Sequence, residues 1–332
     1  AQCGQRSEVL NMNKHLKSDP LRLKKALPIL FVYLVMVFLA VAINFVSPGF
    51  LTLNHICSIL KQASFLGLVC IGQTLIILSG GIDLSAEYTL LLANVVSAAI
   101  ISGKSENTLP AFLTVLGIGI AAGLINGAGV YFLKIPAMII TLATGMVLYG
   151  LSYIYCNGAP GGYASDILSS LVNSRFLSIF SGASVIWIVL SALCIVLLSR
   201  TTVGRSIHAI GTNRTASVYS GINVCLTTLG IYVIASVMAA LSGFLLLGYT
   251  GTSYMSTGSG YNMDSIAAVV IGGTSIVGGS GGYIGTIAGV GIMILINSLL
   301  TVLNVPEAVK QIVQGSLIIV LLLAVYKRKK MR

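Results

Sequence analysis

Runs of about twenty apolar residues recur along the whole sequence, and a helix of that length crosses a hydrocarbon core of about 30 Å. Lipid offers no hydrogen-bond partner to a backbone N–H or C=O, so a spanning segment must be a helix or part of a closed barrel. The runs do not alternate in polarity, which argues against barrel strands. The sequence therefore predicts an all-α, polytopic membrane protein with about ten transmembrane helices, including glycine-broken segments. Only 8% of the 332 residues are charged, where a soluble domain carries roughly a quarter.

The segments are expected near 27–46, 56–78, 86–101, 109–132, from Pro136 onward, 184–199, 226–248, a short one at "IAAVVIGGTSIVGG", 283–303, and a last one ending at the basic tail. This divides the chain into a basic segment (1–26), a single transmembrane domain (27–326) and a basic tail (327–332). The first apolar run is long and lacks a small-residue cleavage site, so it reads as a span and not as a signal peptide.

A net charge of +11 invites a nucleic-acid reading, but the charge is grouped at the ends of spans. Arg6, Lys14, Lys17, Arg22, Lys24 and Lys25 precede the first run, five more basic residues form "KRKKMR", and Arg200, Arg205 and Arg214 flank one polar loop. Such clusters orient spans by the positive-inside rule. Both termini and that loop are expected on the cytoplasmic side, with the bilayer as partner and no nucleic acid. Ten crossings return the chain to its starting side, in agreement.

The stretches "IILSGGIDLS" and "VVIGGTSIVGG" share a texture: an apolar β-branched run, Gly-Gly, a short polar residue and another apolar helix. Glycine lets the backbone leave helical angles, and inside a bilayer such a break must be buried in protein or line a wet cavity. Glycine-interrupted segments in both halves point to a transport path. Gly80, Gly81, Asp83, Ser85, Glu87 and Tyr88 in the first break, and Gly272, Gly273 and Thr274 in the second, are the candidate path residues. Asp83 precedes a helix, where a carboxylate can accept from free N–H groups near the positive dipole end. Ser85 can serve the same way. A capping role, a place on the permeation path and a proton relay are the open readings for Asp83.

No catalytic constellation appears, so the chain is not expected to be an enzyme. The six cysteines form no C-x-x-C pair and the three histidines are scattered, which predicts neither disulfide framework nor metal site. "AAIISGKS" fits a loose P-loop pattern, but it lacks the first glycine and follows membrane-apolar residues with no helix after it. The eight acids are spread out, without the paired intramembrane acids that an ion-coupled carrier commonly uses.

The loop "TTVGRSIHAIGTNRTASVYSGINV" is longer than a connection requires and carries a helical face from Ile207 and Ile210, with Ala216 and Tyr219 as candidate extensions. Gly211 is expected to turn the chain between two short helices. Such a loop rests on the bilayer or docks onto another protein.

"GRSIHAIGTNRTASVYSGINV" resembles the loop of permease subunits in the ribose-type sugar ABC importers. "GGIDLS", "GLINGAGVYFLKIPAMIITLAT", "GYNMDSIAAVVIGGTSIVGGSGGYIGT" and "VKQIVQGSLIIVLLLAV" fit the same family in the same order. The resemblance implies a subunit that gives a monosaccharide its path. A separate ATP-binding cassette subunit would hold ATP and Mg, and this chain would bind no cofactor. A periplasmic or lipid-tethered binding protein would deliver the sugar, and a second permease subunit, identical or different, would complete the membrane part. Residues 200–224 become the expected coupling loop, with Gly204, Arg205, Ala209, Ile210, Gly211, Asn213, Arg214, Ala216 and Gly221 matching the family pattern. Asn126 joins the candidate path. The sequence departs from the family at "AEY" (86–88), where small residues are usual. The rival class is a self-contained secondary carrier driven by an ion gradient.

Overall fold

The computed structural model describes residues 20–176, 179–306 and 308–316. The basic clusters before Pro20 and after residue 316, and most of the tenth expected segment, lie outside the described residues. The helices are α1 (Pro20–Val46), α2 (Leu53–Leu78), α3 (Ala86–Ile101), α4 (Thr108–Tyr131), α5 (Ala137–Tyr155), α6 (Asp166–Asn173), α7 (Gly182–Arg200), α8 (Thr202–Thr212), α9 (Arg214–Tyr219), α10 (Val224–Thr250), α11 (Tyr261–Ile271) and α12 (Tyr283–Val302). Residues 308–316 are also helical. Among the described residues the only strands are a two-residue hairpin, Arg175–Phe176 with Phe180–Ser181.

Seven helices (α1, α2, α4, α5, α7, α10 and α12) are long and apolar enough to cross a membrane, and α3 and α11 are apolar but shorter. At 1.5 Å per residue the eleven residues of α11 extend only about 16 Å, half of a hydrocarbon core. The connections on either side of α11 must therefore cover the rest. The segment before it lies against α3, where Ser253 Oγ donates to Asn94 Oδ1 (2.6 Å), and α11 is tied to the turn ahead of α3, where Asn262 Nδ2 donates to the Leu84 carbonyl (2.8 Å). The sequence places this polar stretch in water, whereas Ser253, Asn262 and Asp264 are buried. Their polar atoms are tolerable there because neighbouring helices supply partners.

α2 is the interior helix, with 78% of its most apolar window buried, while α1 is peripheral at 6%. α10 packs against α2, α3 and α4. The α4 contact is made by a row of glycines four apart: methyl groups at Gly119, Gly123 and Gly127 would run into the backbone of Val237, Val233 and Leu229. Small residues at this spacing let two helices meet main chain to main chain, which is the packing available where lipid supplies no hydrophobic drive. α11 and α12 form a second such pair, with Gly272 against Gly285 and Gly289 against Ala268.

The glycine-, serine- and asparagine-rich stretch after α5 contains the short helix α6. Ser165 caps it by accepting from the Leu168 N–H (3.2 Å), and Leu168 and Val172 turn inward against Gly248 of α10. The expected loop is thus a small docked cap.

Gly285→Val should push α12 off α11, because its new Cβ meets the Gly272 carbonyl directly. Overpacking of this kind costs about 1–3 kcal/mol. A lower melting temperature in detergent is the expected result, and Gly117→Val, where nothing lies within 4 Å, should show none of it.

Candidate functional site

α2 and α11 both stop at a Gly-Gly pair, and they stop in the same way. Gly80 and Gly273 take left-handed angles (φ +87° in each) that a side chain would strain. In the first break the Gly80 N–H donates to the Ile77 carbonyl and the Gly81 N–H to Ile76, both at 3.0 Å. In the second, the Gly273 N–H donates to Val270 (2.9 Å) and the Thr274 N–H to Val269 (3.2 Å). Each is a Schellman cap, which satisfies the carbonyls that a helix end leaves open.

The first break then turns into α3 through Asp83. Its Oδ1 accepts from the Ser85 N–H (2.7 Å) and the Ser85 hydroxyl (2.6 Å). The expectation that Asp83 caps α3 needs correcting: its bonds form a turn two residues long that ends before the helix begins. Ser85 does not cap either, because its backbone is already helical (φ −94°, ψ −12°) and its side chain makes no cap bond. A cap residue needs extended angles to aim its oxygen back at the first turn. The missing cap comes from another helix. Asn262 of α11 accepts from the Glu87 N–H through Oδ1 (3.0 Å), while its own N–H faces Glu87 Oε2 (3.4 Å).

The remaining partners of this break are drawn from helices far apart in sequence. Asn126 of α4 donates to Ser85 Oγ (2.8 Å), and Thr141 of α5 accepts from the Leu84 N–H (3.0 Å). Tyr232 of α10 lies so close to Gly81 that a Cβ there would stand 2.8 Å from its hydroxyl. Tyr88 rests edge-on against Tyr149 (5.8 Å between centroids), in space left by Gly145 of α5. The bulk of "AEY" at 86–88 is therefore matched by a glycine opposite.

Asp83 Oδ2 and Asn126 Oδ1 are buried and make no hydrogen bond among the described residues. The same holds for both polar atoms of Gln73 on α2 and for Ser236 Oγ on α10. A buried polar group without a protein partner is uncommon in a native protein and calls for an explanation. Sequence reading reached Asp83 and Asn126. It missed Gln73 and Ser236, which are single polar residues in apolar runs with no motif around them, and Asn262, which lies within a quoted motif but was given no role.

In the connection between α7 and α10, Gly204 packs against the carbonyls of Leu197 and Leu198, and Gly221 takes a left-handed turn (φ +77°). Ile207 and Ile210 are buried, as their spacing suggests, but Ala216 and Tyr219 point outward, with Tyr219 87% exposed. α9 starts on a new axis, so the face of α8 does not continue into it. Gly211 is not the turn: it lies inside α8, and the chain turns at Asn213, whose Oδ1 caps α9 by accepting from the Ala216 N–H (3.0 Å). Ala209 is half-buried, and its carbonyl accepts from the Asn213 N–H (2.9 Å). Arg205 and Arg214 are exposed, and Arg214 lies over the Tyr131 ring (5.5 Å). A pocket of about 250 Å³ lined by Val95, Ala99, Ser102, Tyr155 and Asn157 lies at the far end of α3 and touches none of the candidate path residues.

Comparison with known proteins gives the same direction over most of the chain. Residues 55–322 match the family model described as branched-chain amino acid transport system / permease component. The ribose import permease protein RbsC of Escherichia coli (strain K12) is 35% identical over 287 residues, covering 85% of this chain and 88% of RbsC. The galactose/methyl galactoside import permease protein MglC of the same organism is 34% identical, covering 87% of this chain and 91% of MglC. Its inner membrane ABC transporter permease protein YjfF is 38% identical, covering 76% and 77%. No solved structure matches.

Asp83→Asn should leave stability near that of the wild type, because an amide oxygen still accepts from Ser85. Ser85→Ala strips Asp83 and Asn126 of a shared partner and should cost about 1–3 kcal/mol. Asp83→Leu should lower the folded yield in gel filtration. Equal yields for the Leu variant and the wild type would remove any structural part for this turn.

Proposed function

The chain belongs to the family of transport-system permease components, and from that membership we propose that it is the membrane-spanning subunit of an ATP-driven sugar importer. The observation that carries this reading is the 35% identity to a ribose import permease across 85% of the chain. The family description names amino-acid transport, but two of the relatives above are named for the import of ribose and of galactose or methyl galactoside, and we take the cargo to be a monosaccharide. The secondary-carrier alternative gains no support, since a relative of similar identity is named an ABC transporter permease.

The chain crosses the inner membrane many times, with both termini and the α8–α9 connection on the cytoplasmic side. An ATP-binding cassette protein hydrolyses ATP with Mg, a binding protein delivers the sugar, and a second permease subunit, the same chain or another, completes the path. Residues 200–224 meet the cassette protein. In support, α8 and α9 turn Ile207 and Ile210 inward and leave Val203, Val218 and Tyr219 exposed beside Arg205 and Arg214. Exposed aromatic and arginine side chains are residue types that a docking contact enriches. The first break, with Asp83, Ser85, Asn126, Glu87 and Tyr88, and the second, with Gly272, Gly273 and Thr274, border the path.

Cysteines at Asn213 and Asp166, both exposed, should be labelled from opposite sides, Asn213 only from the cytoplasm. Ala216→Glu, on the exposed face, should keep membrane insertion yet lose cassette association and uptake together. Co-purification at wild-type level alongside lost uptake would move the docking contact elsewhere. Uptake in proteoliposomes without ATP or the cassette protein would overturn the importer reading.

A further inference from the structure

The connection assigned to the cassette protein and the two glycine breaks meet at a single point. Gly211, one residue from the end of α8, is pressed against the Leu78 carbonyl at the end of α2, and a Cβ on it would stand 2.6 Å from the Gly279 nitrogen. Gly279 itself donates its N–H to that Leu78 carbonyl (2.9 Å). From the other side, a Cβ on Gly278 would stand 2.9 Å from the Gly80 nitrogen and 3.0 Å from the Gly211 carbonyl oxygen. His208 Nδ1 lies 3.2 Å from the Gly279 carbonyl, and Thr212 packs against Gly279. The main chain at residues 78–80, Gly211 and 278–279 thus meets directly, with the side chains of His208 and Thr212 flanking Gly279.

We infer that this glycine joint is the coupling element of the permease: Gly211 is a positioning residue that ties the cassette-facing helix to both breaks at once. The inference rests on the importer reading and adds to it the route by which α8 acts. Side chains at a contact can change rotamer and absorb a displacement, whereas main chain against main chain cannot, so a shift of α8 must move both breaks or separate from them. The Schellman caps leave the breaks able to move without exposing helix carbonyls, because those bonds lie within each helix end. The Leu78–Gly279 bond connects the two breaks directly, so they are displaced together. A coupling claim needs an element that both sites bias, and this joint is in contact with the loop on one side and both breaks on the other.

Two measurements test it on the full importer with its cassette and binding proteins. In the first, Gly211→Ala and Gly278→Ala are compared with Gly230→Ala, a helical glycine with nothing within 4 Å. The first two should still co-purify with the cassette protein while uptake falls about tenfold, in the range that substitutions along a coupling route produce. ATP turnover should no longer respond to the sugar-loaded binding protein. Gly230→Ala should behave as wild type. In the second, hydrogen exchange of the wild-type complex should change at amides 79–85 and 274–282 together when a non-hydrolysable ATP analogue is added, and His208→Ala should weaken that joint response. This measurement stands even if the alanine variants fail to fold. Full uptake by Gly211→Ala, or exchange that changes in one break and not the other, would overturn the joint. Uptake independent of ATP would instead sink the importer reading.

Discussion

Lipid holds no partner for a backbone amide, and that fact governs how two helices are allowed to stop inside this protein. Both α2 and α11 end by folding their last N–H groups back onto their own carbonyls, through a left-handed glycine in each case. Having closed their own ends, the chains can leave helical geometry and approach one another. The turn at Asp83, the cap that Asn262 lends to α3 and the contact of Gly278 with Gly80 all follow from those two stops. Without them the region is uninterrupted helix, and nothing brings the α8–α9 connection against both halves.

The arrangement divides the work of a permease between different materials. Apolar helices such as α1 and α5 turn large side chains outward to the bilayer. The breaks carry the polar atoms, some of them buried without a partner in this conformation. The basic connection presents charge and an exposed tyrosine to the cytoplasm under the proposed orientation. Under the proposed function this chain supplies the path and the cassette protein supplies the ATP chemistry. What the path requires is two arrangements of the same main chain, and a point at which an external protein can favour one of them.

The spans, both breaks and the amphipathic connection were legible in the sequence because each rests on a local signal: run length, a Gly-Gly pair, spacing of isoleucines. What was not legible depends on residues distant in sequence. Capping of α3 was one of the readings open for Asp83, since it stands just ahead of that helix, yet the bond to the Glu87 N–H comes from Asn262, 175 residues away. Gly211 was expected to turn the chain, since turning is a common use of glycine, and its actual use is to admit the Leu78 carbonyl. Ala216 and Tyr219 were grouped with Ile207 by spacing, but Asn213 interrupts the helix and rotates them away. Period tells which residues share a face only while the helix continues.

The row of glycines on α4 has a mechanical consequence. Along Gly119, Gly123 and Gly127, two long helices are joined at closest approach over about two turns, with main chain against main chain at each glycine. α4 and α10 therefore behave as one stiff beam, and α10 alone is about 40 Å long. A beam of that length does not dissipate a push by bending; it pivots. Its compliance is concentrated at its ends, where the α9–α10 turn and the docked cap of α6 are attached. A small rotation imposed at the first would reach the second as sideways travel, in the manner of a lever.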